Sequence, residues 1–288
     1  MSYVRCCYKM NNVAKIKMKI YNERINSMKK LIINADDFGY TPGVTAGIIE
    51  AHKRGIVTST TALVVSPYFM EAMDMARLFA PTLAIGLHLT LTLRHAKPIL
   101  PAHEVPSLVD DKGEFLNVDA IIAGAKVAEI EKEWEAQLLK FFESGKRPDH
   151  LDSHHNIHGG SEQILAVALK LAKKYNLPLR NCERQSAQIG LVKKMYGQAR
   201  TPDEMKAEFY DKNTTMEILE QIFQEIAASD KEIFEMNCHP AFIDYQLEQW
   251  SSYCHQRVNE LKILTSEKAK KMLDDNGILL ANYEVFRT

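Results

Sequence analysis

Short apolar runs typical of strands alternate along this chain with segments in which apolar residues recur at helical spacing. The predicted strands cover residues 31–34, 56–65, 83–92, 150–153, 179–182, 233–238 and 278–285. Strands that alternate with helices in this way are typical of a parallel sheet with helical crossovers. The pattern therefore predicts a single α/β domain with about seven strands. Periodicity alone leaves open whether the sheet closes into a barrel or forms a doubly wound layer.

The predicted helices begin and end at residues with suitable capping chemistry. Thr41 is the expected N-cap of the first helix, with Pro42 at its first position and Gly55 just past its end. Ser161 likewise caps a helix that extends to about residue 175. Other helices are expected at 66–79, 118–143, 216–228, 247–261 and 266–275. Residues 95–118 are proline-rich and without periodicity, which predicts a functional loop, and the pattern of residues 184–214 is ambiguous.

Composition excludes several classes of protein. The 288 residues are 46% apolar and 25% charged, which is ordinary for a globular domain. A formal net charge of −1 gives no basic footprint for nucleic acid or for an anionic membrane. No apolar stretch approaches 18 residues, so no membrane span is expected. The five cysteines form no CxxC pair, which indicates a reducing, cytoplasmic environment.

The first 27 residues differ in character from the rest of the chain. They are basic but lack the continuous apolar core and cleavage site of a signal peptide. A further methionine, Met28, lies three residues before the first strand. We therefore expect residues 1–27 to be an extension outside the fold, and residues 28–288 to form the domain.

Acidic and histidine side chains cluster at the ends of several predicted strands. Asp36 and Asp37 follow the first strand, and His88 lies in the third. The segment HLDSHHNIH contains the fourth and continues past its end, and His239 follows the sixth. In parallel α/β folds the carboxyl ends of the strands meet on one face, where catalytic groups are normally built. Motifs for other chemistries, such as GxGxxG, a P-loop or GxSxG, do not occur.

Two adjacent carboxylates after a buried strand repel each other, and a cation bound to one of them relieves this. The other carboxylate can then serve as a general base. A solvated pair that caps the next helix is the alternative. In HLDSHHNIH, Leu151 and the nearby Pro148 favour a strand followed by a loop over a helix, so His154 is the expected ligand. His155 and His158 are candidates to support it or contact substrate. A polar network without metal is also compatible with the cluster.

Five motifs occur in one order from about residue 28 to the C-terminus: NADDFG, GIVTSTTALV, AIGLHLTLT, HLDSHHNIH and CHPAF. Together they resemble the YdjC-like carbohydrate deacetylases, whose best-known members act on chitooligosaccharides. The resemblance implies an irregular (β/α) TIM-like barrel, often homodimeric, with one divalent metal ion. It also implies that Asp37, His88 and His154 bind the metal, that Asp36 is the catalytic base and that His239 is the acid.

The expected reaction is metal-assisted hydrolysis of the acetamide of an N-acetylated mono- or oligosaccharide, such as diacetylchitobiose. Arg180 and Asp152 are expected to support the site, with Arg180 orienting Asp36 by ion pairing. Asp244 is expected either to orient His239 or to cap the helix after it. Nitrogen ligands suit zinc or another transition metal, and the resemblance adds magnesium. Asn156 stands where close relatives of the chitooligosaccharide enzymes have a third histidine, which leaves the sugar open.

Two other functions compete with this hypothesis. A metal-dependent phosphoesterase on a similar barrel would use comparable ligands, but the motifs carry few of the basic residues that clamp phosphate. A sugar-binding protein that has lost catalysis would have no need for a base beside the metal, so the intact Asp36–Asp37 pair counts against it.

Overall fold

The computed structural model describes residues 28–182, 195–197 and 199–287. Within these residues it contains seven strands: β1 (Lys29–Phe38), β2 (Ser59–Ala62), β3 (Ala84–Leu89), β4 (Leu151–Ser153), β5 (Glu204–Lys206), β6 (Ile233–Cys238) and β7 (Ile278–Ala281). All of them pair in parallel, in the order β4-β3-β2-β1-β6-β5, and β7 pairs with the first half of β1. The predicted parallel α/β sheet is confirmed.

Nine α-helices lie in the same part of the chain: α1 (Pro42–Arg54), α2 (Phe69–Phe79), α3 (Val118–Gly124), α4 (Val127–Phe142), α5 (Glu162–Tyr175), α6 (Met216–Ala228), α7 (Tyr245–Trp250), α8 (His255–Leu264) and α9 (Glu267–Asp275). As predicted, Thr41 caps α1 by accepting a hydrogen bond from the amide of Val44, and Ser161 caps α5 through Ile164. None of these helices has the length and apolar character needed to cross a bilayer.

β1 is the central strand and forms the middle of the core. It pairs with β6 on one side, while β7 and then β2 occupy the other. Leu31, Ile32 and Ile33 are each 0% exposed, so both faces of the strand are covered. This explains why the strand has no polar alternation in the sequence, because parallel strands are buried on both faces.

The sheet curves so that an irregular segment lies between β4 and β5. The amide of Leu151 donates to the carbonyl of Pro178, the amide of Arg180 donates to Leu151, and the amide of Leu179 donates to Arg200. The predicted fifth strand at 179–182 is therefore wrong as a strand, since it amounts to an isolated bridge between Leu179 and Leu151. Pro178 lacks an amide donor, which interrupts regular pairing here. The result is the irregular TIM-like (β/α) barrel that was expected.

Several predicted elements are shorter or divided. The helix expected at 118–143 is split into α3 and α4, and the helix expected at 247–261 is split into α7 and α8. The strand at 56–65 shrinks to β2, and the last one ends at Ala281, before a 3-10 turn. Strand β5 lies in the segment that had no assignment. The predicted extension, residues 1–27, lies outside the described residues.

Candidate active site

The end of β1 brings two adjacent carboxylates to the same site. The pairing of β1 with β2 shifts register between Ala35 and Phe38, and Asp37 has a left-handed backbone (φ 72°). In a regular strand, successive side chains point to opposite faces, and a bulge re-aims one of them. Asp36 and Asp37 therefore both face the same cavity, although they are only 3% and 1% exposed.

Asp37 lies with two histidines from other strand ends. Its Oδ1 is 3.0 Å from His154 Nδ1 and 3.5 Å from His88 Nε2. One ligand atom from each of the three residues lies within 4.8 Å of the others. The structure thus brings together the three residues proposed from the sequence as metal ligands.

His88 is held in place by its second ring nitrogen. Its Nδ1 lies 2.7 Å from Asp152 Oδ1 and 3.1 Å from Thr61 Oγ1, because His88 and Asp152 are register partners in β3 and β4. A proton on Nδ1 shared with Asp152 leaves Nε2 directed at Asp37. Burial lowers the pKa of His88, but Asp152 outweighs it and the pKa is raised to about 10.

Arg257 of α8 fixes the other oxygen of Asp37. Its Nη2 donates to Asp37 Oδ2 at 2.7 Å, and the guanidinium is buried. Burial raises the pKa of Asp37, yet Arg257 and His154 hold it well below its usual range. No local pattern predicts the role of Arg257, because it lies 220 residues from its partner and on a helix with no distinctive motif.

Asp36 is held by Arg180 through two hydrogen bonds of 2.6 and 2.8 Å. The buried guanidinium also contacts Asp152 and Glu235, each at 2.9 Å. Glu235 in turn accepts a hydrogen bond from Tyr283 at 2.5 Å. Burial raises the pKa of Asp36, but Arg180 outweighs it, and the net shift is downward. Asp36 is therefore an ionised carboxylate at neutral pH.

His239 lies on the far side of Asp36, with its Nε2 3.9 Å from Asp36 Oδ2. The loop that carries it packs so closely on α1 that a Cβ at Gly47 would lie 2.4 Å from Ala241 Cα. Asp244 caps α7 by accepting from the amide of Leu247 at 2.8 Å, so of its two expected roles it has the capping one. Burial lowers the pKa of His239 to about 4, so its ring is neutral at pH 7.

The remaining residues of HLDSHHNIH surround this centre. His155 and Asn156 both have left-handed backbones, and His155 Nδ1 is 2.9 Å from Thr92 Oγ1. His158 is fully buried and does not line the pocket. It lies 2.6 Å from Ser153 Oγ and 3.2 Å from the carbonyl of Arg180. His158 therefore helps to hold the backbone at Arg180 in place.

A cavity of about 450 Å³ is lined by the side chains of Asp36, Asp37, His88, His154 and His239. Aromatic side chains form two of its walls. Tyr210 and Tyr253 stack with ring centroids 4.6 Å apart, and both meet the ring of His239 edge-on. Trp250 packs against Tyr40 on the other wall. A larger cavity of about 660 Å³ beside α5 contains none of the groups described above. The smaller cavity therefore has the chemistry of an active site.

Comparison with known proteins places this geometry in context. The family model for YdjC-like proteins matches residues 30–275. A carbohydrate deacetylase of Enterococcus faecalis is 57% identical over 258 residues, which cover 90% of this chain and 98% of the relative. A carbohydrate deacetylase of Geobacillus stearothermophilus is 36% identical and covers 88% of this chain and 97% of the relative.

Two solved structures are also similar to this chain. A crystal structure of an Enterococcus faecalis protein, whose suggested role is cellobiose-phosphate cleavage, superposes with a TM-score of 0.88 at 57% identity. It covers 90% of this chain and 99% of that one. An uncharacterised protein of Agrobacterium tumefaciens has a TM-score of 0.53 at 11% identity, with 90% and 89% coverage, which shows a shared fold only.

Proposed function

The chain belongs to the YdjC-like protein family, and we propose that it is a metal-dependent carbohydrate deacetylase that hydrolyses the acetamide of N-acetylated sugars. One observation carries the proposal. A three-residue ligand set, an ionised carboxylate and an imidazole lie side by side in one cavity. The ligand set is Asp37, His88 and His154, the carboxylate is that of Asp36, and the imidazole is that of His239. The relatives named carbohydrate deacetylase supply the substrate class.

Asp37, His88 and His154 fit a divalent ion by their donor atoms and spacing. Ligand atoms about 2.1 Å from a common ion lie roughly 3 to 3.5 Å apart, and the two contacts of Asp37 Oδ1 are 3.0 and 3.5 Å. A second set, Asp36, His88 and Asp152, has the right atom types too. Its two carboxylates already share the guanidinium of Arg180. We therefore assign the ion to the first set.

A divalent ion held there would supply Lewis-acid polarisation of the acetyl carbonyl, and three protein ligands would leave positions open for it. Two nitrogen donors favour zinc or another transition metal, whereas the resemblance to chitooligosaccharide deacetylases favours magnesium. Elemental analysis of protein purified without chelator identifies the ion.

Asp36 and His239 divide the proton transfers. Asp36 takes a proton from the attacking water, since it is ionised and held rigidly by Arg180. His239 is neutral in the free protein, so the proton that it gives to the leaving nitrogen comes from Asp36 across the 3.9 Å between them. Water thus loses one proton and the sugar amine gains it, and both residues return to their starting state.

The position of the acid also orients the sugar. The leaving nitrogen belongs to the sugar, so the sugar ring lies on the side of His239. Tyr210 is 48% exposed there, with its ring 5.5 Å from that of His239. Aromatic side chains with a few polar groups are the usual lining of ligand pockets. We place the ring of the sugar that carries the acetamido group against Tyr210.

Chitooligosaccharides such as diacetylchitobiose are the proposed substrates, and oligosaccharide degradation is the proposed role. We also propose a cytoplasmic homodimer. The buried free thiols of Cys182, Cys238 and Cys254 support a reducing compartment. Light scattering after size-exclusion chromatography measures the number of subunits.

The test of function is an assay of acetate and phosphate release on a sugar panel. The panel contains N-acetylglucosamine, diacetylchitobiose, longer oligomers and their phosphorylated forms. Acetate release supports deacetylation. Phosphate release without acetate would show a phosphoesterase, and sugar binding without either product would show a binding protein.

A further inference from the structure

A buried carboxylate lies directly behind His239. Glu260 of α8 is 0% exposed, and its Oε2 accepts a hydrogen bond from the backbone amide of His239. Its Oε1 accepts from the hydroxyl of Tyr253 at 2.6 Å and lies 4.0 Å from Nδ1 of the His239 ring. That Nδ1 is itself buried and has no hydrogen-bond partner among the described residues. The carboxylate is thus the polar group that faces the unpaired ring nitrogen.

The other charged groups near His239 and Glu260 have different partners or face a different atom. Asp36 faces the opposite nitrogen, Nε2, at 3.9 Å. Asp37 and Arg257 are paired with each other at 2.7 Å. His88 is bonded to Asp152, and Tyr210 meets the His239 ring by its edge. Burial raises the pKa of Glu260 to about 7, so the carboxyl is mostly ionised at pH 8.

We propose that Glu260 is a positioning residue for His239, holding a proton on Nδ1 while Nε2 protonates the leaving nitrogen. This inference rests on the proposed deacetylase function. The proton from Asp36 arrives at Nε2 and leaves with the amine, while the proton on Nδ1 stays between His239 and Glu260. A carboxylate that faces the ring stabilises the transient imidazolium without taking its proton. The 4.0 Å separation closes by a small rotation of the ring, since catalytic hydrogen bonds are often long before substrate binds.

Tyr253 links this pair to the wall of the cavity. Its ring stacks on Tyr210, while its hydroxyl bonds Glu260. Tyr253→Phe keeps the ring and removes the bond to Glu260, together with the bond that the hydroxyl accepts from the backbone amide of Asp211 at 2.9 Å. It is therefore a second variant that tests the pair without deleting a buried charge, and it serves if Glu260→Gln does not fold.

The experiment compares two substrates at pH 8, where Glu260 is ionised. Diacetylchitobiose releases an amine that needs a proton, whereas 4-nitrophenyl acetate releases a phenolate that does not. Glu260→Gln is expected to lower kcat for the sugar by about tenfold to a hundredfold, with KM and the rate on the ester nearly unchanged. Tyr253→Phe is expected to shift the same ratio by a smaller factor. Metal content, measured on every variant, should equal that of the wild type.

A double-mutant cycle adds a test that a merely structural role fails. In a His239→Ala background, Glu260→Gln should cause no further loss on the sugar, because its effect acts through the ring. Glu133→Gln is the matched control. Glu133 is an equally buried carboxylate that accepts the amides of Ile99 and Leu100, and any effect of its loss should fall on both substrates alike.

Three results would overturn the pairing: full sugar activity in Glu260→Gln, an equal loss on sugar and ester, or losses that add to those of His239→Ala. Each would leave the proposed function intact if the wild type releases acetate. A wild-type protein that releases no acetate from any sugar would overturn the proposed function and the pairing with it.

Discussion

Replacing Arg180 by methionine perturbs the most highly charged part of the interior. The guanidinium is fully buried and makes four close contacts with three carboxylates, those of Asp36, Asp152 and Glu235. Methionine has a similar length and no charge, so it leaves these carboxylates buried without their common cation. Asp36 also loses its orientation, so acetate release should fall together with stability.

The magnitude follows from the cost of an unpaired buried charge. Removing one partner of a buried ion pair costs about 3–5 kcal/mol. Each carboxylate keeps at least one other partner, namely Asn34 for Asp36, His88 and Thr61 for Asp152, and Tyr283 for Glu235, which holds the total within that range. With a denaturant slope of about 3 kcal/mol per molar, the urea midpoint should fall by about 1 to 1.7 M.

The loss should also depend on pH. Burial raises the pKa of Glu235 even with Arg180 present, because desolvation outweighs the guanidinium. Without the cation its pKa rises further. A carboxyl whose pKa is higher in the folded protein than in the unfolded chain opposes folding when it is ionised and no longer does so when it is protonated. The loss of stability in the variant should therefore shrink as the pH falls from 7 to 5.

Arg77→Met is the matched control for Arg180→Met. Arg77 pairs with Asp74 at 2.8 Å, but the two side chains are 65% and 59% exposed. Such surface pairs contribute at most about 1 kcal/mol. Urea unfolding followed by circular dichroism measures both variants. A loss of unfolding free energy in Arg180→Met no larger than in the control would refute the cost assigned to the buried charges. A loss that is the same at pH 5 and pH 7 would refute it too.

Two further predictions concern the metal and the sugar. Asp152→Asn weakens the orientation of His88 and should lower metal affinity by about tenfold to a hundredfold in calorimetric titration; an unchanged affinity would remove Asp152 from the support of the site. Tyr210→Ala should raise KM for diacetylchitobiose several-fold with little change in kcat, whereas Tyr210→Phe should keep wild-type kinetics. Equal KM values in the wild type and both variants would rule out the stacking role.

Much of the fold could be predicted because local chemistry determines it. The bounds of β6 and α6 and the caps Thr41 and Ser161 match the structure, since apolar periodicity and capping act within a few residues. Strand β5 has three residues and no apolar run, and the segment at Leu179 joins the barrel through isolated hydrogen bonds. Both depend on tertiary contacts that a local pattern does not carry.

The residues of the candidate site likewise include some that a local pattern predicts and some that only tertiary contacts bring into place. Asp36, Asp37, His88 and His154 stand in motifs at strand ends, and strand ends of a parallel sheet converge whatever the details of the helices. Arg257, Glu260 and Tyr253 come from α8 and the turn before it, where arginine, glutamate and tyrosine are ordinary surface residues. Only the packing of α8 against the end of β1 and the loop after β6 gives them their partners.

The most direct test of the central claim is acetate release from diacetylchitobiose by the metal-loaded wild type and by Asp36→Asn, with bound metal measured on both. Asp37, His88 and His154 are intact in the variant, so it should bind metal as the wild type does. We expect acetate release by the wild type, its loss on chelation, and a drop of at least about a hundredfold in Asp36→Asn. Equal acetate release by the two proteins, or by chelated wild type, would contradict it.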